Sequence, residues 1–459
     1  MKNTIAAIST PPGESGLGIV RVSGADAVKI VSKIFKPKKE KTLSEMPSYS
    51  AHYGFIADPI SRETIDEVIV TIMKAPATYT REDTAEINCH GGLVSVRRTL
   101  LLLLKYGARL AEPGEFTKRA FLNGRIDLAQ AEAVFDIIKA KTEESLKAAV
   151  NQLKGGLSKK MELIAEALKN ICAGVEANIE FAEEEIETTG MSGVKKELQK
   201  TLKEINALLA TAEGGKMLRE GIKTAIIGKP NAGKSSLLNE LLDEERAIVT
   251  HIPGTTRDVI EETINIEGIA FVLSDTAGIR EAKDLVERKG IERSIIAIDE
   301  ADLLLAVFDG ATKIEKEDLE IINKIKGKNI IAVINKTDLK PAKTTEKEVK
   351  KLISASIVKI SLLNKTGIEK LKKEMGKIAL EKGARSKESL IITNVRHKEL
   401  LSNAADSIKK AIESINKKMS EEFIALDIRG ALDYIGSVTG RVSTDDILNK
   451  IFSDFCIGK

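Results

Sequence analysis

The spacing of apolar residues changes along the chain, and each change predicts a different kind of element. Within residues 1–118, short apolar runs typical of strands (18–22, 67–73 and 84–89) are mixed with segments of helical period (25–34 and 93–106). From 126 to about 212 the apolar residues recur every three to four positions, which is the spacing of long amphipathic helices. We therefore predict an α/β domain over 1–118, followed by helices whose charged residues form a solvated face.

The second half of the chain repeats this contrast. Between 213 and 378, strand-like runs (223–227, 259–264, 270–274, 303–308, 329–334 and 357–360) alternate with loops and helices, as a doubly wound sheet requires. Helical spacing returns from 381 onward. Because an α/β unit with neighbouring ends is easily inserted into another domain, we predict one helical bundle formed by 119–212 and 379–459 and interrupted by the 213–378 domain.

Composition narrows the class of protein only slightly. A length of 459 residues suits about three domains of roughly 150 residues each, and a net charge of +3 neither requires nor excludes nucleic acid. Cys89, Cys172 and Cys456 lie too far apart for a C-x-x-C site, which argues against zinc or a disulfide framework. The apolar stretch after Met1 is broken at Pro11, and the 100–104 run is too short to span a bilayer. We expect a cytoplasmic protein with no membrane segment.

A phosphate-binding pattern lies near the middle of the chain. Residues Gly228 to Ser235 read G-K-P-N-A-G-K-S and fit G-x-x-x-x-G-K-[ST]. The predicted strand before it and helix over 236–242 after it give the required context, because the helix N-terminus faces the phosphates. We predict that backbone N–H groups of this loop cradle phosphates, that Lys234 reaches the β and γ oxygens, and that Ser235 binds Mg²⁺.

Further stretches follow in the order that a GTPase needs. Asp275 follows a strand and is expected to reach Mg²⁺ through water, while Thr256 is expected to bind Mg²⁺ once the γ-phosphate is present. The Asp338 carboxylate favours guanine, because adenine has no hydrogen-bond donor at N1. The predicted GTP contacts are Asn231, Ala232, Gly233, Lys234, Ser235, Ser236, Thr250, His251, Ile252, Pro253, Gly254, Thr255, Thr256, Asp275, Thr276, Ala277, Gly278, Asn335, Lys336, Asp338 and Ser361.

The catalytic step needs a group that the Ras-like pattern does not supply. Ile279 stands where Ras-like enzymes have a glutamine that orients the attacking water, and its side chain cannot form a hydrogen bond. Two interpretations of Asn231 are open. Together with the 250–255 stretch it ligates a monovalent cation in place of an arginine finger, or it merely stabilises its loop. Three carboxylates downstream are alternatives for the water, and each is also explained as a solvated charge: Glu281, Asp284 and Glu287.

Motifs outside the nucleotide region extend from the first residues to the last. They are Thr10-Pro-Pro-Gly13 with Gly18-Ile-Val-Arg21, His90-Gly-Gly92, Pro113-Gly-Glu-Phe-Thr117 with Arg119-Ala-Phe-Leu-Asn123, Gly254-Thr-Thr-Arg-Asp258 and Phe455-Cys-Ile-Gly-Lys459. With the GTPase motifs, they resemble the bacterial MnmE (TrmE) family of tRNA-modification GTPases. The resemblance implies a K⁺-dependent GTPase whose G domains meet across a homodimer. It also implies a heterotetramer with the FAD-containing flavoprotein MnmG. Together the two proteins would add an aminomethyl or carboxymethylaminomethyl group to C5 of the wobble uridine in certain tRNAs.

The resemblance also assigns individual residues. It implies that K⁺ is bound by Asn231, Thr250, the carbonyl of Ile252 and Thr255, and that Glu287 acts with Lys234 in catalysis by orienting the water. It implies that 5,10-methylene- or 5-formyl-tetrahydrofolate binds to the N-terminal domain, with contacts from Arg21, Glu82, Arg125 and Lys459. Arg125 stands where the family usually has Lys, a change that keeps the charge but alters the geometry.

Two alternatives remain at this stage. Cys456 belongs to the terminal motif and is a candidate nucleophile, but a lone Cys between Phe455 and Ile457 is more typical of a small buried hydrophobe, with only Lys459 nearby to activate it. The alternative function is a ribosome- or RNA-assembly GTPase that acts as a binding switch. Such a switch has no need of folate or of Arg21, Glu82 and Lys459.

Overall fold

The computed structural model describes residues 3–38, 42–180, 190–243, 262–275, 298–339, 344, 346–381 and 391–459. The first elements in chain order are β1 (Ile5–Ile8), β2 (Ser15–Ser23), α1 (Ala27–Ile34), β3 (Phe35–Pro37), β4 (Ser50–Ala57), β5 (Thr64–Met73), β6 (Thr84–Gly91), α2 (Leu93–Lys105), β7 (Arg109–Leu110) and α3 (Glu115–Leu122). The strands predicted at 18–22, 67–73 and 84–89 and both helices are confirmed. The strands β1, β3, β4 and β7 are additional to the prediction.

The N-terminal strands form one seven-stranded sheet in the order β3-β4-β5-β6-β2-β1-β7. Neighbouring strands are antiparallel, except that β1 and β7 are parallel. Helices α1 and α2 cover one face, where alternate residues such as Val70, Ile72 and Ile87 are buried. The other face carries Tyr53 and Ile69, which are 44% and 47% exposed. In the part of the chain that is described, one face of this sheet is packed, whereas the other is exposed around Tyr53 and Ile69 and is covered at β1, where Ile5 and Ala7 are buried with Phe116.

Five helices follow α3 in the described chain before the second sheet. They are α4 (Leu128–Lys139), α5 (Glu143–Leu153), α6 (Gly156–Glu180), α7 (Met191–Ala210) and α8 (Ala212–Glu220). Helix α4 begins after Asp127, whose side chain accepts a hydrogen bond from Gln130 N (2.8 Å), and α5 begins after Thr142, which accepts one from Ser145 N (3.2 Å). These side chains pair backbone N–H groups that would otherwise lack a partner at each helix start.

The second sheet contains the phosphate-binding pattern. Its region comprises β8 (Ile222–Ile227), α9 (Lys234–Asp243), β9 (Glu262–Ile266), β10 (Ile269–Asp275), β11 (Leu303–Asp309), α10 (Lys316–Lys324), β12 (Ile330–Asn335), α11 (Glu346–Leu352), β13 (Ser356–Lys359) and α12 (Ile368–Glu381). The order is β13-β12-β11-β8-β10-β9, and all neighbours are parallel except β9 and β10. Two separate apolar clusters cover the two faces, so this sheet is buried on both sides, as predicted for a doubly wound fold.

The last helices return to the bundle. They are α13 (Val395–Asn416) and α14 (Glu421–Thr439), whereas α15 (Asp445–Ser453) packs with α3 and the start of α4. Leu401, Ile408 and Ile428 from these helices share one core with Leu168 and Leu198 from the first helical segment. The two segments are therefore one bundle, and the domain of the second sheet is inserted between them, which confirms the predicted fold class. Among the helices that the structure describes, none is long and apolar enough to cross a membrane.

The charged residues of the helical region do not all face solvent, and this part of the prediction is wrong. Glu132 and His397 are buried, at 5% and 0% exposure, and Glu132 Oε2 lies 2.7 Å from His397 Nε2. Arg396 donates to both Glu132 oxygens, at 2.9 and 2.7 Å, and Asn394 donates to Oε1 at 3.0 Å. A buried carboxylate is tolerated only when it is paired in this way, and these partners come from the distant second segment.

Candidate functional site

The phosphate-binding loop connects the central strand β8 to helix α9. Gly228 has a φ of 154°, and a Cβ there would lie 2.4 Å from Val307 O, so only glycine fits. Asn231 and Gly233 also have positive φ, of 62° and 102°, which bends the loop toward the helix N-terminus. Ala232 is buried in the loop, whereas Ser235 and Ser236 are exposed in the first turn of α9. The loop therefore presents backbone N–H groups and two hydroxyls on one side.

The Lys234 ammonium is held by the loop itself. Lys234 Nζ donates to Gly228 O and to Lys229 O, at 2.9 Å each. A charged donor paired with neutral carbonyls would bind an anionic phosphate oxygen more strongly, because charge-assisted hydrogen bonds are the stronger ones. When phosphates enter the loop, the ammonium can therefore exchange these two carbonyl acceptors for phosphate oxygens.

The base-recognition motif is packed directly against the loop. Asn335 Nδ2 donates to Ala232 O at 3.0 Å, and a Cβ on Gly233 would lie 2.2 Å from the same nitrogen. Asn335 Oδ1 is buried and has no hydrogen-bond partner within the described residues. Lys336 Nζ donates to Asp309 Oδ2 at 2.6 Å. Strand β12 thus ends beside the glycine-rich loop.

Ser361 lies beside the carboxylate that was predicted to read guanine. Ser361 Oγ donates to Asp338 Oδ1 at 2.5 Å and accepts from Asn364 N at 3.2 Å. Ser361 also pairs through its backbone with Thr366, just after β13. The structure therefore brings Asn335, Lys336, Asp338 and Ser361 together with the loop at the carboxyl edge of the sheet, where ligands bind in open α/β sheets.

Many predicted site residues lie outside the described part of the chain. Asp275 is the last residue of β10, opposite Ile226 of β8, which places its backbone beside the loop strand. The residues outside the description are Thr250, His251, Ile252, Pro253, Gly254, Thr255, Thr256, Thr276, Ala277, Gly278 and Glu287, together with the alternatives Glu281 and Asp284. Their assignments to Mg²⁺, K⁺ and water remain predictions.

The N-terminal domain holds the C-terminal residues in a groove. Phe116 N donates to Lys459 O at 3.2 Å, Gly114 N donates to Cys456 O at 3.4 Å, and Pro113 pairs with Ile457. A Cβ on Gly458 would lie 2.4 Å from Ile8 O, so the tail passes very close to β1. The last residue of the chain is thereby fixed beside α3.

Arg21 links this tail to the sheet. Its Nε donates to Glu86 Oε1 at 2.8 Å, its NH1 donates to Gly458 O at 3.2 Å, and its guanidinium lies 5.7 Å from the centre of the Phe116 ring. Arg125 lies 4.7 Å from the centre of the Tyr79 ring. Burial raises the pKa of Tyr79, although Thr117 and the charges of Arg125 and Arg21 oppose it. Two cations and two aromatic rings thus line the groove near the tail.

Glu82 is oriented by a residue that the sequence analysis did not assign. Arg119 is 1% exposed, and its NH1 donates to both Glu82 oxygens at 3.0 Å. Arg119 NH2 also donates to Glu115 Oε1 and Asn3 O, while Ser23 Oγ donates to Glu82 Oε2 at 2.8 Å. Arg119 lies in a motif that carried the family resemblance, and that motif was the available signal.

Cys456 is exposed, so the interpretation of it as a small buried hydrophobe is wrong. The hydrogen bonds of the tail backbone fix its orientation, in which Phe455 and Gly458 are buried and Cys456 and Ile457 are exposed. The Phe455 ring packs against Phe452 and Phe135, with centroid distances of 5.5 and 5.1 Å. The exposed thiol is sterically accessible, but exposure alone does not make it a nucleophile.

A glycine-rich loop between a central parallel strand and a helix, with an Asn-Lys-x-Asp motif packed against it, defines a P-loop GTPase of Ras-like topology. The chain belongs to the MnmE family. One family model, GTP-binding protein TrmE N-terminus, matches residues 4–125, and another, MnmE helical domain, matches residues 128–456.

Individual relatives match over their whole length. A protein of Thermoanaerobacter pseudethanolicus, named tRNA modification GTPase MnmE, is 50% identical over 458 residues, covering 100% of this chain and 99% of the relative. A protein of Clostridioides difficile with the same name is 48% identical over 457 residues, covering 100% and 99%. Among solved structures, Era from Aquifex aeolicus is 30% identical over the matched part, which covers 40% of this chain and 65% of that chain, with a TM-score of 0.28.

Proposed function

We propose that the chain is a K⁺-dependent GTPase that acts with the flavoprotein MnmG to modify C5 of the wobble uridine in certain tRNAs. The observation that carries the proposal is the match to relatives named tRNA modification GTPase MnmE at 50% identity over 458 residues. Because this match includes the N-terminal and helical regions, it supports more than a generic GTPase activity.

The loop and base-motif residues fit a guanine nucleotide. The glycines at 228 and 233 let the loop pack against Val307 and Asn335, where a Cβ would clash, and the buried Asn335 Oδ1 leaves an acceptor for a ligand. In our proposal Lys234 leaves the loop carbonyls for phosphate oxygens, and Asp338, held by Ser361, accepts from the guanine edge. We assign Mg²⁺ to Ser235 and Thr256, with Asp275 acting through water; when bound, this ion neutralises charge on the phosphates.

For hydrolysis we assign K⁺ to Asn231, Thr250, the Ile252 carbonyl and Thr255, and the orientation of water to Glu287. Asn231 supports this assignment because it lies at an exposed turn of the loop with a φ of 62°. A cation there supplies the positive charge that an arginine finger supplies in other GTPases.

We propose that the N-terminal domain binds 5,10-methylene- or 5-formyl-tetrahydrofolate beside the C-terminal tail. Arg21 and Arg125 lie against aromatic rings, Glu82 provides a fixed acceptor, and the backbone of Lys459 is held in the same groove. When bound, the folate supplies the one-carbon unit. The residues named here bind and orient it.

We further propose a cytoplasmic homodimer that joins MnmG, with its FAD, in a heterotetramer. The exposed part of the N-terminal sheet supports an association of this kind, since exposed apolar side chains such as Tyr53 and Ile69 lie on it. Movement of the G domains on GTP binding would then be passed through the helical bundle to the folate groove.

The test is GTP hydrolysis by the full-length protein in KCl and in NaCl at equal ionic strength, with Glu287→Ala as the variant. We expect turnover in KCl to be at least about tenfold faster than in NaCl, because a correctly placed charge lowers the barrier by about 1.4 kcal/mol or more. We expect the variant to lose this stimulation by K⁺. Glu281→Ala is the matched control and should retain the stimulation.

Equal rates in both salts would contradict the K⁺ assignment and favour the ribosome- or RNA-assembly switch. A titration with 5-formyl-tetrahydrofolate separates the same alternatives independently. Saturable binding that is weakened by Arg21→Ala supports the modification enzyme, whereas absence of binding supports the switch.

A further inference from the structure

Lys229, the second residue of the phosphate-binding loop, is a buried cation to which the loop pattern assigns no role. The residue is 7% exposed, and its Nζ donates to Thr312 Oγ1 at 2.9 Å and to Glu315 Oε2 at 2.8 Å. Asp318 Oδ2 lies 3.3 Å from the same nitrogen. Burial lowers the pKa of Lys229, but the hydrogen bond to Glu315 and the charge of Asp318 outweigh this effect and raise it. The side chain is therefore a charged anchor.

The backbone of the same residue organises the loop. Lys229 O accepts the hydrogen bond from Lys234 Nζ at 2.9 Å and one from Ala232 N at 3.3 Å. One residue thus anchors the loop through its side chain and holds the phosphate-binding ammonium through its carbonyl. A shift of Lys229 would move both contacts together.

The anchoring segment also supports the base-recognition side. We call residues 309–318, from the end of β11 to the first turn of α10, the strut. Asp309 Oδ2 accepts from Lys336 Nζ at 2.6 Å, and Gly310 N donates to Asn335 O at 2.8 Å. The other end of the strut supplies Glu315 and Asp318 to Lys229. The strut therefore contacts the loop that we assign to the phosphates and also Asn335 and Lys336, which we assign to the base.

We propose that Lys229 is a positioning residue that holds the phosphate-binding loop, through the strut, in its ligand-ready shape before nucleotide binds. The inference rests on the proposed function, since it assumes that this loop receives GTP. The loop contains positive-φ backbone at Gly228, Asn231 and Gly233, so fixing it costs conformational entropy. An anchor that fixes the loop in advance removes this cost from binding, and apparent affinity scales with the fraction of protein in the competent shape.

This role predicts a particular kinetic signature. Once phosphates are bound they hold the loop themselves, so Lys229 contributes equally to the ground state and the transition state. Loss of such uniform binding raises KM and the Kd for GDP while leaving kcat unchanged. A residue that acted on the chemical step would instead lower kcat.

The experiment compares the wild type with Lys229→Met, using a fluorescent N-methylanthraniloyl derivative of GDP as the probe. We expect GDP affinity to fall about tenfold, equivalent to roughly 1.4 kcal/mol, mainly through slower association. We expect kcat for GTP hydrolysis to remain within about twofold of the wild type. Lys229→Arg keeps a cation for Glu315 and Asp318, and it should recover most of the lost affinity.

Lys328→Met is the matched control. Lys328 is a partly buried lysine of the same domain, and its Nζ donates to Ile298 O at 2.5 Å and to Asp299 O at 3.0 Å. This variant removes a comparable cation away from the loop and should leave GDP affinity unchanged. If it weakened GDP binding as much as Lys229→Met does, the effect would be general loss of domain stability, and the proposal would be overturned.

Glu315→Gln keeps the test available if Lys229→Met does not fold. The Glu315 side chain is 60% exposed, so its substitution is compatible with folding, and we expect a smaller loss of GDP affinity in the same direction. Unchanged GDP affinity in the folded variants overturns the role of Lys229. A wild-type protein that does not bind GDP at all would instead overturn the proposed GTPase function, so the two failures are distinguishable.

Discussion

Two buried carboxylates on helix α4 lie one turn apart but behave in opposite ways. Glu132 connects α4 to the start of α13 through Arg396, and Asp136 connects α4 through Arg219 to α8, the helix that leads into strand β8. We call these two connections the Glu132 joint and the Asp136 joint. The pKa of Glu132 is lowered to about 2: burial raises it, but His397 and Arg396 outweigh burial. Burial raises the pKa of Asp136, and Arg219 does not fully offset the effect.

The difference arises from the number of charged partners. Glu132 receives hydrogen bonds from Asn394, from Arg396 on both oxygens and from His397. Within the described residues, Asp136 instead receives a single hydrogen bond, of 2.7 Å from Arg219 Nε. Burial of a charge becomes tolerable only when several donors replace the lost water. The joint within the bundle is therefore strongly bonded, and the joint toward the G domain is weakly bonded.

The side chains around Asp136 leave a cavity between them. A cavity of about 260 Å³ lies beside it, lined by Phe135, Lys139, Ala149, Leu218 and Arg219 among others. Phe135 in turn packs against Phe455 of the C-terminal tail. Helix α4 thus contacts the second helical segment, the helix that leads into the G domain and the C-terminal tail.

The largest effect should come from breaking the stronger joint with Glu132→Ala. This change leaves His397, which is 0% exposed, and Arg396 without their carboxylate, so we expect about 3–5 kcal/mol of lost stability. Urea unfolding followed by circular dichroism measures it. Glu162→Ala, which breaks an exposed pair with Arg441, is the control and should change the midpoint very little. A loss no greater than that of the control would show that the Glu132 joint is not the stronger one.

The second effect is a pH dependence of opposite sign at the two carboxylates. For Asp136, whose folded pKa is raised, the folded state binds the proton more tightly, so stability rises as pH falls from 7 through this pKa. For Glu132, whose folded pKa is lowered from 4.5 to about 2, stability is present above about pH 4.5 and is lost as pH falls toward 2.

Asp136→Asn isolates the first of these contributions. We expect it to raise stability by up to about 1 kcal/mol at pH 7, because it removes a charge whose burial Arg219 does not fully offset, and the difference from the wild type should shrink as pH falls from 7 toward 4, where Asp136 gains its proton and becomes neutral like Asn. Urea midpoints of both proteins at several pH values provide the measurement. Parallel curves across this range would mean that Asp136 does not have a raised pKa.

The contrast between these joints also shows what the sequence could predict. The central strands of the G domain are apolar runs such as 303–308, because the sheet is buried on both faces, and each strand was predicted close to its position. Strand β4 contains Gly54, which is required because a Cβ would lie 2.3 Å from Lys36 O. That requirement depends on the neighbouring strand β3, so local pattern does not reveal it.

The same distinction applies to the candidate site. Asn335 ends strand β12, Lys336 and Asp338 follow it directly, and the three could be recognised as one local motif. Arg119, Lys229 and the partners of Glu132 act through residues that are distant in the sequence, and their charge looks like any solvated charge until the fold is known. Helical period alone does not separate a buried carboxylate from an exposed one.

The smallest effect should come from Arg219→Lys, which keeps the charge at the weaker joint but removes the planar donor group. Arg219 is partly exposed, and a lysine can still approach Asp136. We therefore expect the free energy of unfolding, measured with urea at pH 7, to fall by less than about 1 kcal/mol. Arg396→Lys is the matched substitution at the stronger joint. It should cost more, because Arg396 donates to both Glu132 oxygens and to the carbonyls of Ser437 and Val438. Equal losses for the two variants would contradict the idea that the number of charged hydrogen bonds, rather than burial alone, distinguishes the joints.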